Sequence, residues 1–141
     1  KIEEHYFSYY ENWKPERNYD VAKKFLNFKP NSTRSEGTYT SHASLDDKTD
    51  GFHYYLGFMK FGIGRTTSDA AHQIRNGVLS RDEGINLIKK YDGEFPNLYL
   101  KEFLEYMELD MIKLNQILDK FRRPIIWKKE NNEWKLRMQI E

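Results

Sequence analysis

The sequence has no cysteine, no long apolar run and almost no net charge, and each absence excludes a class of protein. Without cysteine there is neither a disulfide framework nor a thiolate metal site, which fits a reducing compartment, and we expect the cytoplasm. The apolar runs are far shorter than the roughly 20 residues that a membrane-spanning helix needs. Lysine and arginine number 23 against 22 aspartate and glutamate, so the net charge of +1 creates no long-range field for nucleic acid or anionic membranes. We therefore expect a soluble protein that binds neither.

The sequence also lacks the common motifs of triphosphate handling and of acyl transfer. There is no Ser-Gly-Gly-x-Asp-Ser or Walker-type phosphate loop, and there is no Gly-x-Ser-x-Gly nucleophile motif. What the chain does have is aromatic residues, which make up 16% of its 141 positions. Large rings with polar edges suit wet cavities and interfaces equally well.

The spacing of apolar residues predicts a mainly α domain of about six helices with a C-terminal β-hairpin. The helices are predicted at Asn18–Phe28, Asp46–Phe61, Asp69–Asn76, Ser80–Tyr91, Asn97–Met107 and Asp110–Phe121. A polar loop at 31–44 is long enough to be functional. Ser80 and Glu83 fit a capping box. The runs 125–127 and 134–136 flank a turn and predict the hairpin, with Trp127 and Trp134 packed against helices or a further domain.

Gly62, Gly64 and Arg65 form the best candidate anion site. The glycines let backbone amides approach an anion, and Arg65 can bind a phosphate or carboxylate through two guanidinium nitrogens. Ser68 or Asp69 would begin the helix that follows. For these residues alone we favour the competing interpretation, in which the glycines end a helix and Arg65 pairs with an acidic neighbour.

The remaining polar and aromatic candidates each have a structural alternative. Three acids, Asp46, Asp47 and Asp50, have the oxygens that Mg²⁺ binds, but acids at a helix start also suit the helix dipole, and we predict no metal site. Helical spacing can bring five side chains toward one cleft: Asp46, Asp50, His53, His72 and Arg75. The two histidines are more often structural than catalytic. The stripe of Tyr54, Tyr55, Phe58 and Phe61 is predicted as core, with a sugar pocket as the alternative.

Short motifs follow one another in a consistent order along nearly the whole chain. They include the segments 5–13, 34–39 (Arg-Ser-Glu-Gly-Thr-Tyr), 43–48 (Ala-Ser-Leu-Asp-Asp-Lys), 50–55 (Asp-Gly-Phe-His-Tyr-Tyr), 59–65 (Met-Lys-Phe-Gly-Ile-Gly-Arg) and 92–96 (Asp-Gly-Glu-Phe-Pro). In this order they resemble the carboxy-terminal part of the bacterial N-acetyl sugar amidotransferases.

The resemblance implies a cytoplasmic enzyme of lipopolysaccharide or flagellin sugar biosynthesis that converts an acetamido group to an acetamidino group. The substrate would be a nucleotide-linked or free N-acetyl sugar. An amino-terminal PP-loop domain of the ATP pyrophosphatase type would use ATP and Mg²⁺ to adenylate the amide oxygen, so that ammonia can displace AMP. Glutaminase and cyclase-like subunits would supply the ammonia. Residues 1–141 lack the PP-loop, so we expect a single helical C-terminal domain that binds no cofactor and is inactive alone.

The resemblance also implies roles for particular residues. Three of them, Lys60, Arg65 and Asp69, would lie near phosphate or a sugar carboxylate, and five would contact substrate: Arg34, Glu36, Asp46, Asp47 and Asp50. No catalytic residue is assigned. The alternative function is a non-catalytic interaction module, in which the aromatic face of Tyr6 to Trp13 and the terminal hairpin dock a synthetase or glutaminase partner.

Overall fold

Helices dominate the computed structural model, which describes all 141 residues. In chain order they are α1 (Pro15–Leu26), α2 (Asp50–Phe61), α3 (Arg65–Arg75), α4 (Arg81–Tyr91), α5 (Leu100–Tyr106) and α6 (Met111–Phe121), followed by strands β1 (Trp127–Glu130) and β2 (Glu133–Leu136). The predicted class, a mainly α fold of six helices with a C-terminal hairpin, is confirmed. None of these helices has the length and apolar content needed to cross a membrane.

The chain forms two compact units, residues 1–30 and 31–141. The smaller unit contains a one-turn 3₁₀ helix, Phe7–Tyr9, and helix α1. Helix α1 starts at Pro15, whose missing N–H is not needed in the first turn, and ends at Asn27 in the left-handed conformation. No residue of either helix is buried. That residues 1–141 act as one domain stays a prediction.

Helices α2 and α3 carry four of the polar candidates, Asp50, Lys60, Arg65 and Asp69, and α4 follows them. Gly62 ends α2 with a φ of +71°, as predicted. Helix α3 begins at Arg65, four residues before the predicted start, so the prediction that Ser68 or Asp69 begins it is wrong. In α4 the capping box is confirmed, because the Ser80 side chain accepts the Glu83 amide while the Glu83 carboxylate accepts the Ser80 amide.

Two helices start three or four residues later than predicted, and side-chain hydrogen bonds explain both differences. Helix α2 begins at Asp50 and not at Asp46, because the Asp47 carboxylate accepts the backbone N–H and the hydroxyl of Thr49 and holds a turn before the helix. Helix α5 begins at Leu100 and not at 97. The amides at 97 and 98 donate to the carboxylate of Glu36, so this stretch is a turn.

The apolar core lies between α2, α5, α6 and the hairpin. Phe52 is 1% exposed, and its ring stacks on Phe103 at 3.7 Å. Leu114 and Leu118 of α6 complete the buried cluster together with Met59 and Trp127. Within the aromatic stripe, the core prediction is confirmed for Tyr55 and Phe58, which pack against this cluster, and is wrong for Tyr54 and Phe61, which are exposed.

The hairpin seals one side of this core. Strands β1 and β2 are antiparallel, with Trp127 opposite Leu136, and Asn131 and Asn132 both have positive φ, as a two-residue type I′ turn requires. Trp127 is buried and donates its indole N–H to the Met59 carbonyl at 2.7 Å, while Trp134 packs partly buried against the cluster. The prediction that both tryptophans pack against the helices is confirmed.

Candidate functional site

The loop of residues 31–44 folds back on itself. The amide of Asn31 donates to the Ser41 carbonyl and the amide of Ser35 to the Thr40 carbonyl, each at 2.8 Å. The Ser35 hydroxyl donates to the Ala43 carbonyl at 2.6 Å. These internal bonds make the loop one connected piece of structure.

An ion pair ties this loop to the segment after α4. Two guanidinium nitrogens of Arg34 donate to the two carboxylate oxygens of Glu94, at 2.6 and 2.5 Å. The backbone N–H of Gly37 donates to the same carboxylate at 2.7 Å, and the Arg34 guanidinium lies 4.5 Å from the centre of the Tyr91 ring. The hydrogen bonds from Arg34 lower the pKa of Glu94, and the carboxylate in turn raises the pKa of Arg34.

Two buried threonines fasten the middle of the loop to α3. Thr38 and Thr66 are both fully buried. Thr38 donates its hydroxyl to the Asp69 carboxylate at 2.6 Å, and Thr66 donates its hydroxyl to the Gly37 carbonyl at 2.7 Å. Because a buried polar group left without a partner costs free energy, these bonds fix the position of the loop.

Arg65 is surrounded by partners from its own unit. Its guanidinium lies 3.3 Å from an Asp50 carboxylate oxygen and 3.8 Å from one of Asp69, and it packs 4.1 Å from the centre of the Tyr54 ring. The Ser44 hydroxyl joins Arg65 and Asp50 by hydrogen bonds to both. The side chain is 13% exposed. The competing interpretation, in which Arg65 pairs with acidic neighbours, therefore describes this structure.

The N-terminus of α3 is occupied by a carboxylate of the same chain. Asp92 accepts the backbone N–H groups of Gly64 and Thr67, at 3.1 and 3.2 Å, and also the Thr67 hydroxyl. Free amides and the helix dipole make such a position attractive to anions. The place where the sequence suggested an external phosphate is therefore filled by Asp92.

A cleft of about 280 Å³ opens beside the loop. Its lining comes from the loop, the start of α2 and the turn before α5, and includes Arg34, Glu36, Asp47, Lys48, Phe52 and Tyr99. Glu36 accepts the backbone amides of the turn before α5, so its carboxylate has partners in place. The Lys48 ammonium lies 3.6 Å from Glu102 and 5.2 Å from the centre of the Tyr99 ring.

The predicted site residues fall into three groups. Arg34, Glu36 and Asp47 line the cleft. A second group, Asp50, Arg65 and Asp69, forms the neighbouring ion network. The third group does not join either: Asp46 is exposed, and the Lys60 ammonium lies over its neighbour Phe61.

The five side chains that helical spacing was expected to bring toward one cleft do not meet. Of the five side chains expected in one cleft, only Asp50 belongs to the ion network, while His53, His72 and Arg75 are exposed and none of them lines the cleft. No group of three or more histidine, aspartate or glutamate side chains is arranged to hold a metal ion.

Asp92 and Glu94 accept hydrogen bonds from α3 and from the loop, but the sequence did not mark them as candidate site residues. Both belong to the segment 92–96 (Asp-Gly-Glu-Phe-Pro), so they lay within a motif that carried the resemblance. The signal that marks them is a glycine between two carboxylates. Glycine is the residue that most readily adopts positive φ in a tight turn, and the φ of Gly93 is +79°.

Together these features define a small helical domain with a polar cleft bordered by a long, anchored loop. The model of one protein family, described as LPS biosynthesis protein WbpG-like, C-terminal domain, matches residues 36–141, and the chain belongs to this family. The match begins inside the loop that borders the cleft and includes helices α2 to α6 and the hairpin. Membership supports a role in LPS biosynthesis. Comparison with individual curated proteins gave no match.

Proposed function

We propose that this chain is the C-terminal domain of an ATP-dependent N-acetyl sugar amidotransferase and that its cleft holds the sugar. The observation that carries the proposal is a polar cleft in a chain that belongs to an LPS biosynthesis family. At about 280 Å³ it lies just below the roughly 300–1,000 Å³ of pockets for small molecules, which suits a single sugar ring. The product would be an acetamidino sugar for lipopolysaccharide or flagellin glycans.

The charges around the cleft favour the uncharged part of such a substrate. Arg34 is paired with Glu94, and Lys48 with Glu102. The carboxylates of Glu36 and Asp47 accept hydrogen bonds from nearby backbone amides. Because two cations, Arg34 and Lys48, and two carboxylates, Glu36 and Asp47, line the cleft, it offers hydrogen-bonding groups and the Tyr99 ring without an excess of positive charge for a diphosphate. Hydroxyl and acetamido groups fit this surface.

The proposed reaction needs activation because amide resonance makes the acetamido carbon a poor electrophile. The amide oxygen attacks the α-phosphorus of ATP and pyrophosphate leaves, which gives an O-adenylated imidate. Ammonia then adds to the imidate carbon, and AMP leaves with the former amide oxygen, so that an amidine remains. ATP and Mg²⁺ would bind to a PP-loop domain outside residues 1–141, and the ammonia would come from glutaminase and cyclase-like subunits. This domain's part is to hold and orient the sugar.

The test uses the full-length protein with ATP, Mg²⁺, its ammonia-supplying partners and candidate nucleotide-linked N-acetyl sugars. We expect AMP, pyrophosphate and an acetamidino sugar, detected by mass spectrometry. Lys48→Met removes a cation that lines the cleft, and because hydrogen bonds to charged groups contribute about 1.5–3 kcal/mol, KM for the sugar should rise at least about tenfold.

The matched control is Lys101→Met. Lys101 is another exposed lysine paired with a glutamate, Glu105 at 4.0 Å, but it does not line the cleft. Its KM should stay at the wild-type value. If the full-length protein forms no acetamidino product from any sugar tested, the amidotransferase proposal is wrong. If Lys48→Met and Lys101→Met behave alike, the cleft is not the sugar site.

A second candidate function, docking of a synthetase or glutaminase partner, is favoured by the aromatic residues of the smaller unit. Tyr6, Phe7 and Tyr9 are 76%, 69% and 84% exposed, which is unusual for rings that water solvates poorly. The hairpin no longer supports this function, because Trp127 is buried and Trp134 is partly buried.

The docking candidate can be tested with a separately expressed PP-loop domain and the chain of residues 1–141. Tyr9→Ser should weaken their association, because an exposed ring that becomes buried at an interface is a common hot spot. Tyr106→Ser, at a tyrosine that is 76% exposed in α5, is the control. Equal affinities of wild type and both variants would exclude the aromatic face as the docking surface.

A further inference from the structure

Glu94 does not line the cleft, yet three hydrogen-bond donors of the loop at 31–44 meet at its carboxylate. Two come from the guanidinium of Arg34 and one is the backbone N–H of Gly37, with distances from 2.5 to 2.7 Å. A carboxylate has two oxygens and accepts all three bonds only when it is ionised. Glu94 therefore binds the loop at two points, one through a side chain and one through the backbone.

The two points bracket part of the loop stretch that borders the cleft. Residues 31–36 and Ser44 line the cleft, and two of them, Ser35 and Glu36, lie between the Arg34 guanidinium and the Gly37 N–H that donate to Glu94. The Ser35 amide and hydroxyl are bonded within the loop, so this stretch moves with the loop and not by itself. A shift at Glu94 would therefore displace the Arg34 end of the cleft wall.

The loop has other anchors. Thr66 and Asp69 bind residues 37 and 38, beyond the cleft-lining stretch, while Glu36 anchors the middle of the wall to the turn before α5. Without Glu94 these bonds keep the loop attached, but the Arg34 end loses its ion pair. The expected result is a displaced cleft wall in a folded domain, not unfolding.

We propose that Glu94 is a positioning residue, which holds Arg34 and Gly37 and thereby sets where the loop wall stands relative to Lys48 and Tyr99 of the cleft. The identity of the ligand in this inference rests on the proposed function. The position of the wall does not, because it follows from hydrogen bonds within residues 31–141.

The first half of the experiment measures amide hydrogen exchange in the chain of residues 1–141. Glu94→Gln keeps the shape of the side chain but removes its charge, and its N–H₂ group opposes a guanidinium N–H of Arg34 where an oxygen accepted a hydrogen bond. Exchange at the Gly37 amide should accelerate about tenfold, because its acceptor becomes neutral and is no longer held in place by the ion pair. The matched control is Glu130→Gln, which removes a carboxylate paired with Lys128 and Lys135 in the hairpin.

The second half measures kinetics in the full-length protein. Glu94→Gln should raise KM for the sugar about tenfold with kcat unchanged, and the thermal midpoint should stay near that of Glu130→Gln. Arg34→Met combined with Glu94→Gln should be no worse than Glu94→Gln alone, because the two residues act as one pair.

Unchanged Gly37 exchange in Glu94→Gln would overturn the inference, and so would a loss of activity that follows a loss of thermal stability. Additive effects of the two substitutions on KM would overturn it as well. If the wild-type full-length protein makes no acetamidino sugar, the proposed function fails, and the exchange measurement still decides whether Glu94 positions the loop.

Discussion

The loop at 31–44 and the apolar core of the same unit are stabilised by different forces. The core consists of closely packed rings and aliphatic side chains such as Phe52, Leu114 and Leu118, each at most 2% exposed. The loop has one buried residue, Thr38, and is held by hydrogen bonds and by the ion pair of Arg34. Phe52 also lines the cleft, so the cleft has an apolar floor and a polar wall. Burial fixes the floor, while the wall depends on the charge states of its anchors.

The largest effect on stability should come from removing a ring from the apolar core. Phe52→Ala removes a ring that stacks on Phe103 and packs edge-on against Phe95, and it leaves a cavity in the core. We expect the free energy of unfolding to fall by about 3–5 kcal/mol, measured by urea denaturation. Phe61→Ala is the control, because that ring lies in the same helix but is 56% exposed. It should change stability by no more than about 0.5 kcal/mol. Equal losses would mean that α2 does not bury Phe52.

An intermediate effect is expected at Gly93, where the core meets the turn that carries Asp92 and Glu94. A Cβ there would lie 2.4 Å from the Phe58 ring, and φ is +79°. That ring packs edge-on against Trp127 and cannot move away freely. Gly93→Ala should therefore lower stability by about 2–4 kcal/mol, through backbone strain and crowding together.

Gly77 separates these two contributions. Its φ is +72°, but a Cβ at this position meets nothing within 4 Å. Gly77→Ala should lower the free energy of unfolding by only about 1–2 kcal/mol, which is the strain alone. Urea denaturation of both variants gives the crowding contribution as the difference. A Gly77→Ala loss as large as that of Gly93→Ala would show that the Phe58 contact contributes nothing.

The smallest effect is the response of the polar wall to pH. Arg34 lowers the pKa of Glu94 below its unfolded value, so the carboxylate stabilises the fold above about pH 4.3 and this stabilisation is lost as the pH falls through the folded pKa. The difference in urea midpoint between wild type and Glu94→Gln should be greatest near pH 7 and shrink below about pH 4. The amide and hydroxyl of Thr49 also lower the pKa of Asp47. Asp47 is present in both proteins, so its contribution cancels in the difference between their urea midpoints. A difference that is independent of pH would contradict the ion pair.

The parts of the fold that could be predicted from sequence are those that local residues determine. The capping box of Ser80 and Glu83 involves residues three apart, and the turn at Asn131 and Asn132 is a two-residue hairpin connection, so a pattern within a few positions was sufficient. Apolar spacing and capping residues predicted all six α-helices, but they cannot define where a helix starts when the amides there bind a distant side chain.

The site shows this limit more clearly than the fold. Arg34 meets Glu94 across 60 positions, and Thr67 meets Asp92 across 25. Neither separation leaves a periodic pattern in the sequence. Arg34, Glu36 and Asp47 were chosen as candidates because they belong to the motifs at 34–39 and 43–48, and all three line the cleft. Glu94, the partner of Arg34, was not chosen. The helical spacing that grouped His53 with His72 failed because separate helices carry them, and their relative orientation is set by tertiary packing.

The carboxylate of Asp92 at the start of α3 acts as an intramolecular competitor. Any phosphate that approached the amides of Gly64 and Thr67 would have to displace a group that is tethered to the same chain. A tethered group has a high effective concentration, so Asp92 leaves the position free in only a fraction of the molecules. The apparent affinity for an external anion is reduced by that fraction. The start of α3 is thus a helix N-terminus that its own chain keeps closed to external anions.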